Sequence, residues 1–173
     1  MSAHTQGKKM TTEIFIEDKF DCSADKLYGL LSDDTFDDAL MNALQIKKEC
    51  LEKKEDASGP VYKLRLTNPE EIPAIAKKFT GEKLSYIETR AWNKTKCANT
   101  WIIAPEIKGA TVEAKGKTEI VASNSGCIRK TTGSITVKIP LIGGKIEEMV
   151  KQSIIQTFKK NADFCRNYLQ ETT

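Results

Sequence analysis

The amino-acid order predicts an α+β fold: a curved antiparallel sheet of about seven strands wrapped round one long C-terminal helix. Three observations point there. An amphipathic pattern with three- and four-residue steps fills the last quarter of the chain. Period-two runs joined by short turns fill most of the middle, so neighbouring strands pair antiparallel. Two short helical segments interrupt the pattern directly after the first strand.

Composition permits this. The chain has 173 residues, of which 39% are hydrophobic and 29% charged, enough to bury a core as a single domain over 11–173. Residues 1–10 read as a polar, aperiodic tail. A net charge of +3, with scattered lysines and no arginine cluster interleaved with aromatics, argues against nucleic acid as a partner. The five cysteines are widely spaced, form no CxxC pair and fit a reducing compartment. With no apolar leader and no run of about 18 apolar residues, a cytoplasmic monomer is expected. No cofactor or metal is expected.

Element by element, Thr12–Glu17 is β-rich and forms the first strand. Ser23 caps a helix over 24–31, with Leu27, Leu30 and Leu31 on one face. A second helix spans about 34–43, turning Phe36, Leu40 and Met41 inward. Asp33, Asp34, Asp37 and Asp38 around it lack calcium-loop spacing and read as helix caps and acidic surface. From Leu44 the period becomes two, placing Ile46, Lys48 and Cys50 on one face. The turn at 57–60 leads into a strand over 61–66 with Tyr62, Leu64 and Leu66 aligned. Two prolines, Pro69 and Pro73, bracket a break that turns helical after Pro73 and closes at Gly81. Four β-runs follow, at 83–93, 98–104, 111–123 and 127–139. A helix over 145–169 would measure about 37 Å, with Glu147 and Glu148 in its first turn, where the dipole favours anions.

The segment Ile139-Pro140-Leu141-Ile142-Gly143-Gly144-Lys145 joins the last strand to this helix. It lacks the GxxxxGK[ST] pattern of a phosphate loop. It reads instead as a hinge in which Pro140 ends the strand, the glycines turn the chain onto the sheet, and Leu141 and Ile142 tuck under the helix start.

Strand, two short helices, six strands, long helix is a helix-grip order. The chain resembles the START-like (SRPBCC) superfamily, and most closely a bacterial-type family of unknown function. The resemblance lies in Gly133–Glu147, which contains Ile139-Pro140-Leu141-Ile142-Gly143-Gly144-Lys145-Ile146-Glu147. Weaker echoes stand at 33–36, Ile72-Pro73, Trp92 and the run from Ala110. It implies the fold and a ligand cavity between sheet and helix, and carries over no catalytic residue.

Residues expected to line that cavity are Tyr62, Leu64, Tyr86, Trp92, Trp101, Ile135 and Val137 on strands, and Met149, Val150, Ile154 and Phe158 on the helix. The expected ligand is a hydrophobic small molecule such as a lipid, sterol or fatty-acid derivative, with peripheral membrane contact as an accompanying expectation. Access would lie near 68–81 and 141–144. The rival reading is a cyclase- or dehydratase-type enzyme using polar cavity groups; a third is a protein-interaction adaptor. His4 is the single histidine, so imidazole catalysis in the core is excluded. Glu88 and Arg90 share a face with Leu84, Tyr86 and Trp92 and are the best polar candidates. Ile87 and Ala91 on the opposite face favour an outward or rim position for this pair. Cys50 and Cys165 are expected to be buried and inert.

Overall fold

A computed structural model describes residues 10–138 and 143–171. Seven antiparallel strands form one sheet in the order β1-β7-β6-β5-β4-β3-β2. The strands are β1 (Met10–Phe20), β2 (Lys47–Asp56), β3 (Gly59–Thr67), β4 (Ser85–Asn93), β5 (Ala98–Pro105), β6 (Thr111–Ser123) and β7 (Gly126–Lys138). Between β1 and β2 lie α1 (Ala24–Leu31) and α2 (Asp34–Ala43); α3 (Ala74–Thr80) links β3 to β4; α4 (Gly143–Glu171) closes the chain. This is the curved antiparallel sheet and long terminal helix that the sequence order predicts.

Local chemistry sets the helix starts. Ser23 Oγ accepts from Lys26 N–H at 3.1 Å, and Asp33 Oδ1 accepts from Phe36 N–H at 2.9 Å. Each oxygen satisfies a donor that the first helical turn leaves unpaired. Between the two helices the chain turns sharply, and Phe36, Leu40 and Met41 are buried as the helical period requires.

Several details depart from the sequence reading. β2 starts at Lys47 rather than Leu44, because Gln45 takes a positive φ of 56° that no strand accommodates. β2 is an edge strand, its register shifts between Cys50 and Glu52, and Cys50 is exposed rather than buried. Cys165 is buried, and burial pushes its thiol up to about 11. α4 begins at Gly143 and has 29 residues, about 43 Å of helix. Gly143 and Gly144 are thus helical rather than a preceding turn, and Glu147 and Glu148 stand beyond the first turn. The rest of the expected hinge, Ile139, Pro140, Leu141 and Ile142, lies outside the described residues.

Two apolar clusters hold helix to sheet. One gathers α1, α2 and the C-terminal half of α4 around Phe20, Leu27, Phe36, Trp92 and Cys165. The other gathers α3 and the N-terminal half of α4 around Ile14, Trp101, Ile135, Ile146 and Val150. Among the described residues, no helix is long and apolar enough to cross a membrane.

Candidate functional site

Strand register explains why space remains between the clusters. Across the concave face, Arg90 pairs with Trp101, Trp101 with Gly116, Gly116 with Gly133, and Gly133 with Ile14. The next row runs from Trp92 through Asn99, Thr118 and Thr131 to Ile16. Glycine and threonine are too short to reach the helix, so the sheet cannot close onto it there. The Trp101 indole occupies part of the gap. A Cβ at Gly133 would stand 2.7 Å from Trp101 Cη2, and one at Gly116 2.6 Å from Trp101 Cζ2. A Cβ at Gly116 would also strike the Thr132 carbonyl, and one at Gly133 would stand 2.7 Å from the Lys115 carbonyl, so both glycines are required by the tryptophan and by the neighbouring backbone together.

What remains is a cavity of about 140 Å³. Tyr86, Trp92, Trp101, Val150, Ile154 and Phe158 all line it. The Trp101 and Phe158 rings lie 6.3 Å apart, tilted by 49°. The other expected lining residues stand elsewhere. Ile135 and Val137 are buried in the second cluster, and Met149 packs on its edge; none of the three lines the cavity. Tyr62 and Leu64 line a separate surface depression between α2 and β2–β3.

Glu88 and Arg90 correct the outward expectation. Both line the cavity, and Glu88 is only 8% exposed. Arg90 Nε donates to Glu88 Oε1 at 2.6 Å, and its Nη1 donates to Asp37 Oδ1 at 3.0 Å. Asp37 also accepts from Lys48 Nζ at 2.7 Å. The pair can turn inward because charged partners arrive from α2 and β2, 53 positions away in one case. Ile87 and Ala91 sit half-buried on the outer face. Asp37 is accordingly more than acidic surface: burial would raise its carboxyl, but Arg90 and Lys48 together hold it below its ordinary value. Burial, then Glu88, raises the Tyr86 phenol well above its usual range, so it stays protonated at ordinary pH. Asp33 keeps its capping role, and Asp34 accepts from Lys53 and Tyr62 at 2.7 Å each.

Sequence reasoning missed a second buried cation. Arg129, 2% exposed, lines the same cavity. Its Nη2 donates to Asp18 Oδ2 at 2.8 Å and to the Phe158 carbonyl at 3.2 Å, and its Nη1 donates to Asn161 Oδ1. The guanidinium also lies 5.5 Å from the ring centres of both Phe20 and Phe158. Alternation along β7 carried the signal, since Arg129 shares a face with Cys127, Thr131, Ile135 and Val137. Among the described residues, no group of three or more His, Cys, Asp or Glu side chains is placed to hold a metal.

A long helix gripped by a seven-stranded antiparallel sheet is a START-like, helix-grip fold. Solved structures bear out the fold. Norcoclaurine synthase from Thalictrum flavum, as a point mutant with a transition-state analogue, is 20% identical, with a TM-score of 0.66 over 96% of this chain and 99% of that one. An aromatase/cyclase from Streptomyces sp. R1128 is 11% identical, with a TM-score of 0.64 over 94% of each chain. A START superfamily protein from Mycobacterium smegmatis is 17% identical, with a TM-score of 0.58 over 94% of this chain and 99% of that one. At such identities the likeness establishes the fold alone. No curated protein matches by sequence. Residues 16–169 match the family described as "Protein of unknown function (DUF2505)", and the chain belongs to that family.

Proposed function

We propose that the chain is a binding protein for a compact apolar molecule, held between the sheet and α4. The carrying observation is the cavity of about 140 Å³, walled by Tyr86, Trp92, Trp101 and Phe158. Apolar cavities near this size take a molecule of about one benzene ring. That is smaller than the lipid or sterol the sequence suggested, so a ring or the ring-sized end of a larger molecule is the better fit. Affinity would come from apolar area removed from water, about 25 cal/mol per Å², with a few polar wall groups fixing orientation. The cavity shares Leu31, Asp37, Arg90 and Trp92 with the depression beside α2. That shared wall, rather than 68–81, is our proposed access route.

Filling the space tests the reading. Ile154→Trp should abolish binding of a neutral polarity-sensitive dye while the protein still unfolds cooperatively. Undiminished dye binding to the folded variant would place the ligand elsewhere.

One observation favours a second reading, acid–base chemistry of the cyclase type. Glu88 is a buried carboxylate on the cavity wall, the kind of group such a reaction needs. Glu88→Gln keeps the shape, so turnover lost with binding retained would select the enzyme, and binding unchanged without any turnover in the parent would select the carrier.

A further inference from the structure

The cavity wall is mixed, and its polar groups divide into two kinds. The four charged residues of the wall, Asp37, Glu88, Arg90 and Arg129, are all spent on partners: Glu88 and Asp37 on Arg90, Asp37 also on Lys48, and Arg129 on Asp18. Two positive and two negative charges on the wall leave no net charge for a ligand to neutralise. A ligand carboxylate would have to displace a protein carboxylate from its buried arginine, and that would leave the displaced group desolvated and unpaired.

The second kind has no partner. Among the described residues, Trp101 Nε1 and the side-chain oxygens of Asn99 and Asn68 are buried and make no hydrogen bond. All three residues line the cavity, and Trp101 is 4% exposed. Trp101 and Asn99 stand two residues apart on β5, so both project from the same face, about 6–7 Å apart along the strand, whereas Asn68 follows β3. The indole N–H is a donor only; the amide oxygen is an acceptor. Leaving such groups buried and unpaired costs more than a typical hydrogen bond returns, so native proteins rarely do so without a purpose.

We infer that the molecule held here is uncharged and carries a hydroxyl on its ring, and that Trp101 and Asn99 recognise that hydroxyl. The inference rests on the binding role proposed above and deepens it by naming the ligand class. A hydroxyl is a compact neutral group that both accepts from an indole N–H and donates to an amide oxygen. The apolar walls take the ring, and the balanced ion pairs reject an anion. Fatty-acid carboxylates, allowed by the sequence reading, fall outside this class.

Three one-ring probes separate the possibilities: toluene, phenol and benzoate, titrated against the whole protein by ligand-observed NMR. Toluene and phenol are close in shape and differ in the hydroxyl. The expected result is phenol bound about fivefold more tightly than toluene and benzoate at least tenfold more weakly than phenol. Trp101→Phe keeps a ring but removes the N–H, and Asn99→Ala removes the acceptor. In each variant the ratio of phenol to toluene affinity should fall to about one or below. Asn99→Ala leaves the Trp101 packing intact, so the test survives a folding defect in the first variant. Toluene equal to or tighter than phenol in the parent would overturn the hydroxyl inference while sustaining the apolar cavity. A phenol preference that survives both substitutions would also overturn it, as would benzoate binding tightest. If none of the three binds, the binding role fails and this inference fails with it.

Discussion

Two arginines point into the same interior and do different work. Arg129 sits under α4, held by Asp18, Asn161 and the Phe158 carbonyl and flanked by two phenyl rings. Its side chain is 3% exposed. Arg90 is shared by Glu88 and Asp37, and its side chain is 15% exposed. It stands where the cavity and the α2 depression share a wall. The first joins β1 and β7 to the terminal helix and is held from both sides. The second has two carboxylates to exchange between and solvent within reach. Burial of an ion pair is weak evidence of net stabilisation, but removing one member strands the other. How far a stranded partner can reach water therefore decides the cost.

The largest effect should come from Arg129→Leu. It strands Asp18 and cuts the link to Asn161, and the expected loss is about 3–5 kcal/mol, or roughly 10 °C in Tm for a chain of this size. Arg90→Leu strands Glu88 but leaves Asp37 its Lys48 partner and breaks no tie to α4, so it should cost less. Thermal denaturation of both variants checks the order, and equal losses would erase the distinction drawn between the two centres.

A smaller effect is expected midway between them. Gly133→Ala puts a methyl 2.7 Å from both the Lys115 carbonyl and Trp101. Displacing the indole should cost about 1–3 kcal/mol and blue- or red-shift Trp101 emission. An unshifted spectrum at full stability would mean the tryptophan shelf between the arginines is not as rigid as the register implies.

The mildest prediction concerns acid. Burial opposes ionisation of Asp37, but Arg90 and Lys48 win and hold its carboxyl below the ordinary value. In the acid range the unfolded chain then binds the extra proton. The stabilisation is complete above the unfolded carboxyl pKa of about 3.9 and fades as pH falls through the lower folded value. Asp37→Asn should cost about 1–2 kcal/mol at neutral pH and flatten the stability profile below pH 4. A parent-like acid slope in the variant would assign the titration to another carboxylate.

The elements were largely readable. α1 and α2 match their sequence boundaries, because Ser23 and Asp33 are caps whose effect is local. Tyr86, Trp92, Trp101, Val150, Ile154 and Phe158 were picked out by periodicity, and all of them line the cavity. Ile135, Val137 and Met149 carried the same pattern yet do not line it, since periodicity reports which face is inside but not how far the opposite layer stands. Glu88 and Arg90 were assigned to the wrong side for a related reason. A charged pair on an apolar face looks misplaced until its remote partners, Asp37 and Lys48, are known.

By itself, then, the amino-acid order determined the succession of elements, the antiparallel sheet and the terminal helix. These follow from backbone periods, caps and turn residues that act over a few positions. Tertiary structure alone decided that Gly116, Gly133, Thr118 and Thr131 fall in adjacent rows, that Trp101 lies across the glycines, and that two arginines find carboxylates from distant elements. Strand register and helix placement set those distances, and both come from packing the whole chain rather than from any segment of it. On the sheet side the cavity is bounded by Thr118 and by the Trp101 ring that the two glycines admit.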